Sequence, residues 1–254
     1  MRTLEERGRE TPALLLITTL QLEGIMVDTL HAIDLGVCAH LVGNILYEIQ
    51  GEHPEWGGRQ EDRVAHIAGL LKKHYRDTKE KYQLDGELTL ERIRKPGDWP
   101  AMRCKAAACR RMVPFALSLA IANNSGSPHD RARLGVVQLL DRFYRILDTE
   151  PMFPSTEARA ELENISLTFM GLYEKLSREA FDAGLRLWKV TPKFHVFQHC
   201  LEHQSWLNPK LSWTYGDESL QGLIKEVARS CHPRTVSYMT TLKWVCKVWD
   251  AWYD

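Results

Sequence analysis

Apolar residues recur every three or four positions along most of this chain, a period that commits it to amphipathic helices. Within residues 35–50, for example, Leu41, Ile45 and Ile49 fall on one face, and Gly51 follows where a helix readily ends. The same spacing predicts further helices over residues 60–81, 98–123, 127–150, 155–188, 193–206, 217–230 and 233–253.

Local signals mark several boundaries of these predicted helices. Ser127 fits an N-cap, with Pro128 in the first turn of the helix that follows. Pro114 lies inside the predicted helix 98–123 and predicts a kink there. Residues 84–100 are rich in glycine and proline, which predicts a connector.

Strand character is confined to two short segments, residues 14–18 and 24–27. We therefore expect a mainly α fold of at least seven helices, with at most a short strand pair near the N-terminus. We expect one domain over residues 1–254. Its parts are a strand-like segment (1–34), a helical region (35–190) and a C-terminal group of helices (191–254).

Composition restricts the classes of function. The 254 residues carry 33 Lys and Arg against 33 Asp and Glu, so net charge gives no whole-molecule attraction to nucleic acid. No run of 18 apolar residues occurs, which predicts no membrane-spanning helix. Six cysteines without a C-x-x-C pair predict buried thiols. Acidic residues near the N-terminus argue against a signal peptide, and we expect a nuclear or cytoplasmic location.

A first candidate site lies where the strand-like segment ends. Asp28 closes a short apolar run, and His31 follows three residues later. An acid at a strand end projects into a site, as the metal-binding aspartates of nucleotidyl-transfer enzymes do. The alternative is that Asp28 or Asp34 caps the following helix.

A second candidate is a stripe of histidines. His195, His199 and His203 recur every four residues, so they share one helical face. A pair spaced H-x-x-x-H can chelate a transition metal. The alternative is a half-buried His195 beside two solvated histidines, because the sequence places no fourth ligand.

Two further groups carry charge at helical spacing. Glu218 opens an amphipathic helix, and Lys225 and Arg229 follow one and two turns later. An acid at a helix N-terminus is also stabilised by the helix dipole alone. A second basic group is expected to share one face of the helix 98–123, either as a phosphate-contacting stripe or as a solvated surface; it consists of Arg103, Arg110 and Arg111.

Taken in order, these motifs resemble the C-terminal half of the catalytic domain of cut-and-paste DDE transposases of the CACTA and Plavaka-like group. In that group an Asp-x-Leu-His motif carries the second catalytic aspartate and a helical insertion follows. A P-K-x-H segment then precedes the helix with the final glutamate. The resemblance covers about residues 22–240. The matching positions are Asp28 and His31, then Pro192, Lys193 and His195, then Glu218 with Lys225, Arg229 and Pro233.

The resemblance implies an RNase H-like ancestry and Mg²⁺-dependent cleavage and transfer of DNA strands. It implies that Asp28 and Glu218 are metal ligands supported by His31, and that their side chains lie within roughly 10 Å of each other. The family's first catalytic aspartate lies upstream, and residues 1–27 contain no aspartate. We therefore expect a fragment or domesticated remnant that holds Mg²⁺ weakly or not at all, binds DNA weakly and does not cleave it alone.

Two other functions are open on the sequence. The first is a non-enzymatic helical module that binds protein or nucleic acid, or another copy of itself. Its expected anchors are exposed aromatics, namely Trp206, Trp213, Trp244, Trp249 and Trp252. The second is a metal-dependent hydrolase built on the histidine stripe.

Overall fold

The chain folds into helices throughout the part that the structure describes. This computed structural model describes the backbone of residues 26–253, without the side chains of residues 217–218 and 248–253. A π-helical segment, Leu30–Cys38, leads into the first α-helix. The α-helices are α1 (Ala39–Glu52), α2 (Gln60–Thr78), α3 (Leu90–Ile93), α4 (Ala106–Arg111), α5 (Val113–Ala122), α6 (Pro128–Thr149), α7 (Thr156–Asp182), α8 (Pro192–His203), α9 (Tyr215–Arg229) and α10 (Val236–Tyr253).

The predicted fold class is confirmed. Helices account for 71% of the protein, and residues 26–253 contain no strand. The predicted strand 14–18 and the first half of the predicted strand 24–27 lie outside the described residues, and residues 26–27 are not a strand. Internal contacts divide the chain into two units, 1–212 and 213–254, a finer division than the single domain that the sequence predicts.

The π-helical segment and α1 form the central element of the first unit. Together they make one continuous helical stretch, Leu30–Glu52, of 23 residues. Among the described residues this is the stretch that could cross a membrane by length and composition, and 78% of its apolar window is buried inside the protein. The absence of an 18-residue apolar run is therefore not sufficient to exclude such a stretch. Burial of this extent is what a central core helix shows, and this helix occupies that position.

The predicted single helix 98–123 is wrong. Residues 101–105 are extended instead, and the Met102 amide donates to the carbonyl oxygen of Ala39 in α1 at 2.7 Å. Gly43 allows this approach, because a Cβ there would lie 2.7 Å from the Cα of Ala101. Pro114 lies in the first turn of α5, so it begins a new helix after Met112 rather than kinking a continuous one.

Helix α7 ends at Asp182, six residues earlier than the sequence predicts. Gly184 adopts a left-handed φ of 66°, and the Leu185 amide donates back to the Ala180 carbonyl at 2.8 Å, which closes the last turn. After this turn, the chain places Trp188 against α1. There its backbone amide donates to Asn44 Oδ1 at 2.8 Å and the side chain is fully buried.

A group of charged side chains joins α1, α6 and α7. Arg133 in α6 is fully buried and donates to Glu52 and, at 2.9 Å, to Asp130. His129 lies between Glu48 Oε2, at 3.2 Å from Nε2, and Glu179 Oε2, at 2.9 Å from Nδ1. The bond to Glu48 is the largest cause that raises the pKa of His129, to about 9.

Candidate functional site

Asp28 and His31 form a bonded pair at the start of the π-helical segment. One oxygen of Asp28, Oδ1, accepts from the backbone amide of Leu30 at 3.1 Å and from that of His31 at 3.4 Å. The other oxygen, Oδ2, lies 2.6 Å from His31 Nδ1. Asp28 thus caps the helical stretch that follows, and one of its oxygens is also bonded to an imidazole.

The pair is partly open to solvent. The side chain of Asp28 is 33% exposed and that of His31 is 53% exposed. Asp28 lies two residues before a nine-residue π-helical segment, and His31 is the second residue of that segment. π-Helical turns are rare in proteins, and those that occur are often located at functional sites. The sequence predicts the helix but gives no signal for its π-helical start.

Asp34 plays a different part from the cap considered in the sequence analysis. It is fully buried, and the hydroxyl of Tyr144 in α6 donates to its Oδ1 at 2.5 Å. Burial and the Asp34 carboxylate raise the pKa of Tyr144 well above its usual value. The sequence signal was available, because Asp34 falls among the apolar positions of the core stripe.

Helix α8 lies antiparallel to residues 27–36, which we call the Asp28 segment. At its start the ammonium group of Lys193 donates to the carbonyl oxygen of Leu35 at 3.1 Å. Beyond its end the amide of Val27 donates to Gln204 Oε1 at 2.9 Å. A Cβ on Gly36 would lie 2.6 Å from Lys193 Cδ, so glycine gives the lysine stem its path. The P-K-F-H motif therefore lies beside Leu35 and Gly36, whereas the D-x-L-H motif lies at the other end of α8, where Thr29 bonds Pro209.

The loop after α8 strengthens this attachment. The hydroxyl of Thr29 donates to the carbonyl oxygen of Pro209 at 3.0 Å, and Thr29 is fully buried. Asn208 is also buried and donates to the carbonyl of Leu147 in α6 at 3.1 Å. The chain on both sides of Asp28 is thus held by residues from about 180 positions further along.

The glutamate of the resemblance lies in the second unit. Glu218 is in the first turns of α9, and its side chain is outside the described part of the protein. Its predicted proximity to Asp28 therefore also falls outside that part. Lys225 and Arg229, which follow on α9, are both exposed.

The three arginines of the second basic group do not share one helix, contrary to the sequence prediction. Arg103 precedes α4 and donates to Asp98 Oδ2 at 3.2 Å. Arg111 lies at the end of α4, and its Nε is 4.0 Å from Glu80 Oε2.

Arg110, the third of them, is 8% exposed and points inward. It donates to Asp148 Oδ1 at 2.7 Å, and its guanidinium lies 4.8 Å from the ring centroid of Tyr144. Because Tyr144 also bonds Asp34, this arginine belongs to the interior network beneath the Asp28 segment.

The histidine stripe has the predicted geometry on α8. His195, His199 and His203 are all exposed, so the half-buried position considered for His195 is wrong. The Nε2 atoms of His195 and His199 are 3.0 Å apart, and the ring centroids of His199 and His203 are 5.2 Å apart.

Other potential ligands near the stripe are engaged or buried. Burial raises the pKa of Cys200 to about 12, and Glu202 accepts from Ser166 at 3.1 Å and from Gln198 at 2.9 Å. In the part of the chain that the structure describes, no three His, Cys, Asp or Glu side chains converge as a metal site would require.

Comparison with protein-family models, curated proteins and solved structures finds no match to this chain.

Proposed function

We propose that this chain derives from the catalytic region of a CACTA or Plavaka-like DDE transposase, whose ancestral activity is Mg²⁺-dependent cleavage and transfer of DNA strands. The observation that carries the proposal is the antiparallel packing of α8 against the Asp28 segment. Lys193 of the P-K-F-H motif donates to the carbonyl oxygen of Leu35, four residues after the D-x-L-H motif, at 3.1 Å. This contact supports the proposal because it places the two motifs on elements that pack against each other.

In this proposal Asp28 and Glu218 are the Mg²⁺ ligands. Mg²⁺ prefers oxygen ligands in near-octahedral geometry and is usually held by one or two carboxylates together with substrate phosphates. The carboxylate of Asp28 fits this role in part, because it is partly exposed and its Oδ2 is bonded to His31. His31 would then orient Asp28 rather than act on DNA itself. Mg²⁺, when bound, would stabilise negative charge on the phosphate under attack.

The proposal includes weak DNA binding and no cleavage by the isolated 254-residue chain. The proposal assigns two carboxylates of this chain, Asp28 and Glu218, to a mechanism for which the family uses three acidic residues. The balanced net charge adds no long-range attraction to DNA. Contacts to phosphate would come from the exposed Lys225 and Arg229.

A cleavage assay tests this proposal. The isolated chain is incubated with Mg²⁺ or Mn²⁺ and with linear and end-bearing DNA duplexes, and no cleavage is expected. Asp28→Ala and Glu218→Ala are assayed in parallel, with Asp77→Ala, an exposed aspartate on α2, as the matched control. Cleavage that disappears in both site variants but not in the control would refute inactivity while supporting the site. Cleavage that is indifferent to both variants would contradict the assignment of Asp28 and Glu218.

A second candidate function is a helical interaction module, and the second unit favours it. Helices α9 and α10 expose large apolar side chains, among them Leu223 at 51%, Tyr238 at 70% and Val245 at 54%. The aromatic anchors expected from the sequence are less exposed, because only Trp206 is exposed among the described ones, at 45%, whereas Trp213 and Trp244 are half-buried.

Sedimentation of the full chain tests self-association through this surface. A homo-oligomer that dissociates in Leu223→Asp and Val245→Asp, but not in Leu167→Asp on α7, would favour the interaction module. Leu167 is a suitable control because it is 57% exposed. A monomer at all concentrations would exclude the self-associating form of this function.

A further inference from the structure

The exposed histidines of α8 have a geometry that neither the transposase resemblance nor the proposed function uses. His195 and His199 lie one turn apart, and their Nε2 atoms approach to 3.0 Å. Their rings meet edge to face, with centroids 4.3 Å apart. This separation is that of a hydrogen bond between the two Nε2 atoms.

We propose that His195 and His199 chelate a divalent transition-metal ion of the Zn²⁺ and Ni²⁺ class through their Nε2 atoms. Bonds between zinc and histidine nitrogen measure about 2.0–2.1 Å. A metal at that distance from two nitrogens 3.0 Å apart has an N–metal–N angle of about 94°. This angle is close to that of two adjacent ligands in octahedral coordination, so the two nitrogens already stand at chelating separation.

The chemistry of the pair selects the class of ion. Imidazole is a good ligand for zinc, copper and nickel, whereas Mg²⁺ and Ca²⁺ prefer carboxylate, carbonyl and water oxygens. No third protein ligand converges on the pair in the described part of the chain, so water molecules complete the coordination. The ion is therefore held by two protein ligands and exchanges readily.

His203 is not needed for this site. It follows His199 by one turn, but their ring centroids are 5.2 Å apart, compared with 4.3 Å for the chelating pair. Cys200 is not a ligand either, because it is fully buried on the opposite face of the helix, where Phe197 and Leu201 are also buried.

A bound metal would stabilise α8, the helix that packs against the Asp28 segment. The chelate closes across a turn of α8 that begins only two residues after Lys193, whose ammonium group holds the carbonyl oxygen of Leu35. A metal that binds only the folded helix stabilises it in proportion to its concentration. The site would thus stabilise the attachment of α8 without contacting Asp28.

Calorimetric titration of the full chain with Zn²⁺ and with Ni²⁺ tests the proposal. All proteins carry Cys246→Ser, because Cys246 is an exposed thiol that could bind either ion. We expect one saturable site that Mg²⁺ does not compete for. We expect His195→Ala and His199→Ala each to weaken binding by about tenfold or more, since even the loss of an outer-shell partner costs 10–100-fold.

His203→Ala is the matched control and should change the affinity by less than about threefold, because His203 is not a ligand in this proposal. Lowering the pH to 5 should release the metal, because only neutral imidazole binds it. The midpoint of thermal unfolding should rise with Zn²⁺ only in proteins that keep both His195 and His199, which also shows that the variants fold.

Three results would overturn the assignment. One is the absence of saturable binding by the parent protein. Another is an affinity that is unchanged in both His195→Ala and His199→Ala. The third is an equal loss in His203→Ala, which would mean that the ligands are a different set. None of these outcomes depends on Asp28 or Glu218, so they separate this site from the proposed Mg²⁺ site.

Discussion

Individual charged residues in this protein often lie where their type alone would not place them. Arg110 was expected at a DNA-contacting face, yet it is largely buried and stacks over Tyr144. Asp34 was considered as a cap, yet it accepts a hydrogen bond from the hydroxyl group of Tyr144 inside the core. The charge of Asp34 can be read directly from the sequence, but its hydrogen-bond partner, 110 positions away, cannot. The histidine spacing on α8 could be predicted because it depends only on helical geometry.

At the residue scale, the buried guanidinium of Arg133 should be essential to stability. Its replacement in Arg133→Ala leaves Glu48, Glu52 and Asp130 without a shared cation. Breaking a buried charge group by removing one partner costs about 3–5 kcal/mol. We therefore expect urea unfolding to show a loss of that size in the free energy of unfolding.

The matched control is Arg142→Ala on the same helix. Arg142 is 52% exposed and pairs with Glu161, which is 39% exposed, so its loss should cost less than about 1 kcal/mol. Equal losses in the two variants would contradict the structural role of Arg133.

At the scale of elements, local signals were read correctly and tertiary ones were not. The hydroxyl of Ser127 accepts from the Asp130 amide at 3.0 Å, so the predicted cap is confirmed. The non-helical stretch before α4 was missed, because it depends on residues 101–102 contacting α1. The early end of α7 was also missed, although Gly184 marked it in the sequence.

The close approach to α1 gives a test of element packing. In Gly43→Ala the new methyl group would meet the backbone of Ala101 at 2.7 Å, which a well-packed interior accommodates at a cost of about 1–3 kcal/mol. Gly69→Ala on α2 is the matched control. Its Cβ meets nothing within 4 Å, so it should stabilise the helix by about 0.5–1 kcal/mol. Chemical unfolding of the two variants should give changes of opposite sign.

The contact of α6 with α1 and α7 should weaken in alkaline solution. The pKa of His129 is raised to about 9 by Glu48, from an ordinary value of 6.5. A raised pKa means that the folded state binds the proton more tightly, so its stabilisation is complete below pH 6.5. It is lost as the pH rises to 9.

Thermal unfolding from pH 6 to pH 10 should show this loss in the parent protein. In His129→Gln the midpoint of thermal unfolding should change less over the same pH interval, because the titrating group is gone. The pKa of Cys104 is lowered by its hydrogen bond to Cys109, and this thiol is present in both proteins, so it affects them alike. An identical pH dependence in the two proteins would show that His129 is not responsible.

At the scale of the whole molecule, the helical class followed from periodicity, but the position of the site did not. The packing of α8 on the Asp28 segment was not predicted, because no local pattern relates Lys193 to Leu35. The two units also differ in character. The first has a continuous buried core, and the second exposes apolar side chains beside Lys225 and Arg229.

DNA binding should depend on the basic residues of the second unit. Lys225→Glu with Arg229→Glu should weaken binding of a short duplex in fluorescence anisotropy. The slope of log affinity against log salt concentration should fall in magnitude by about 2, because two phosphate contacts are lost. Lys73→Glu with Arg76→Glu, on exposed positions of α2, makes the same change in net charge. Equal effects of the two double variants would mean that net charge alone is responsible.

The proposal that Asp28 and Glu218 bind one Mg²⁺ ion is tested most directly by a double-mutant cycle in metal affinity. Mn²⁺ serves as the paramagnetic probe, measured by electron paramagnetic resonance in the presence of a short duplex that supplies phosphate ligands. Asp28→Asn and Glu218→Gln should each weaken Mn²⁺ binding, and the double variant should be no weaker than the weaker single variant, because two ligands of one ion act as a unit. Losses that multiply, or the absence of any loss, would contradict a shared site.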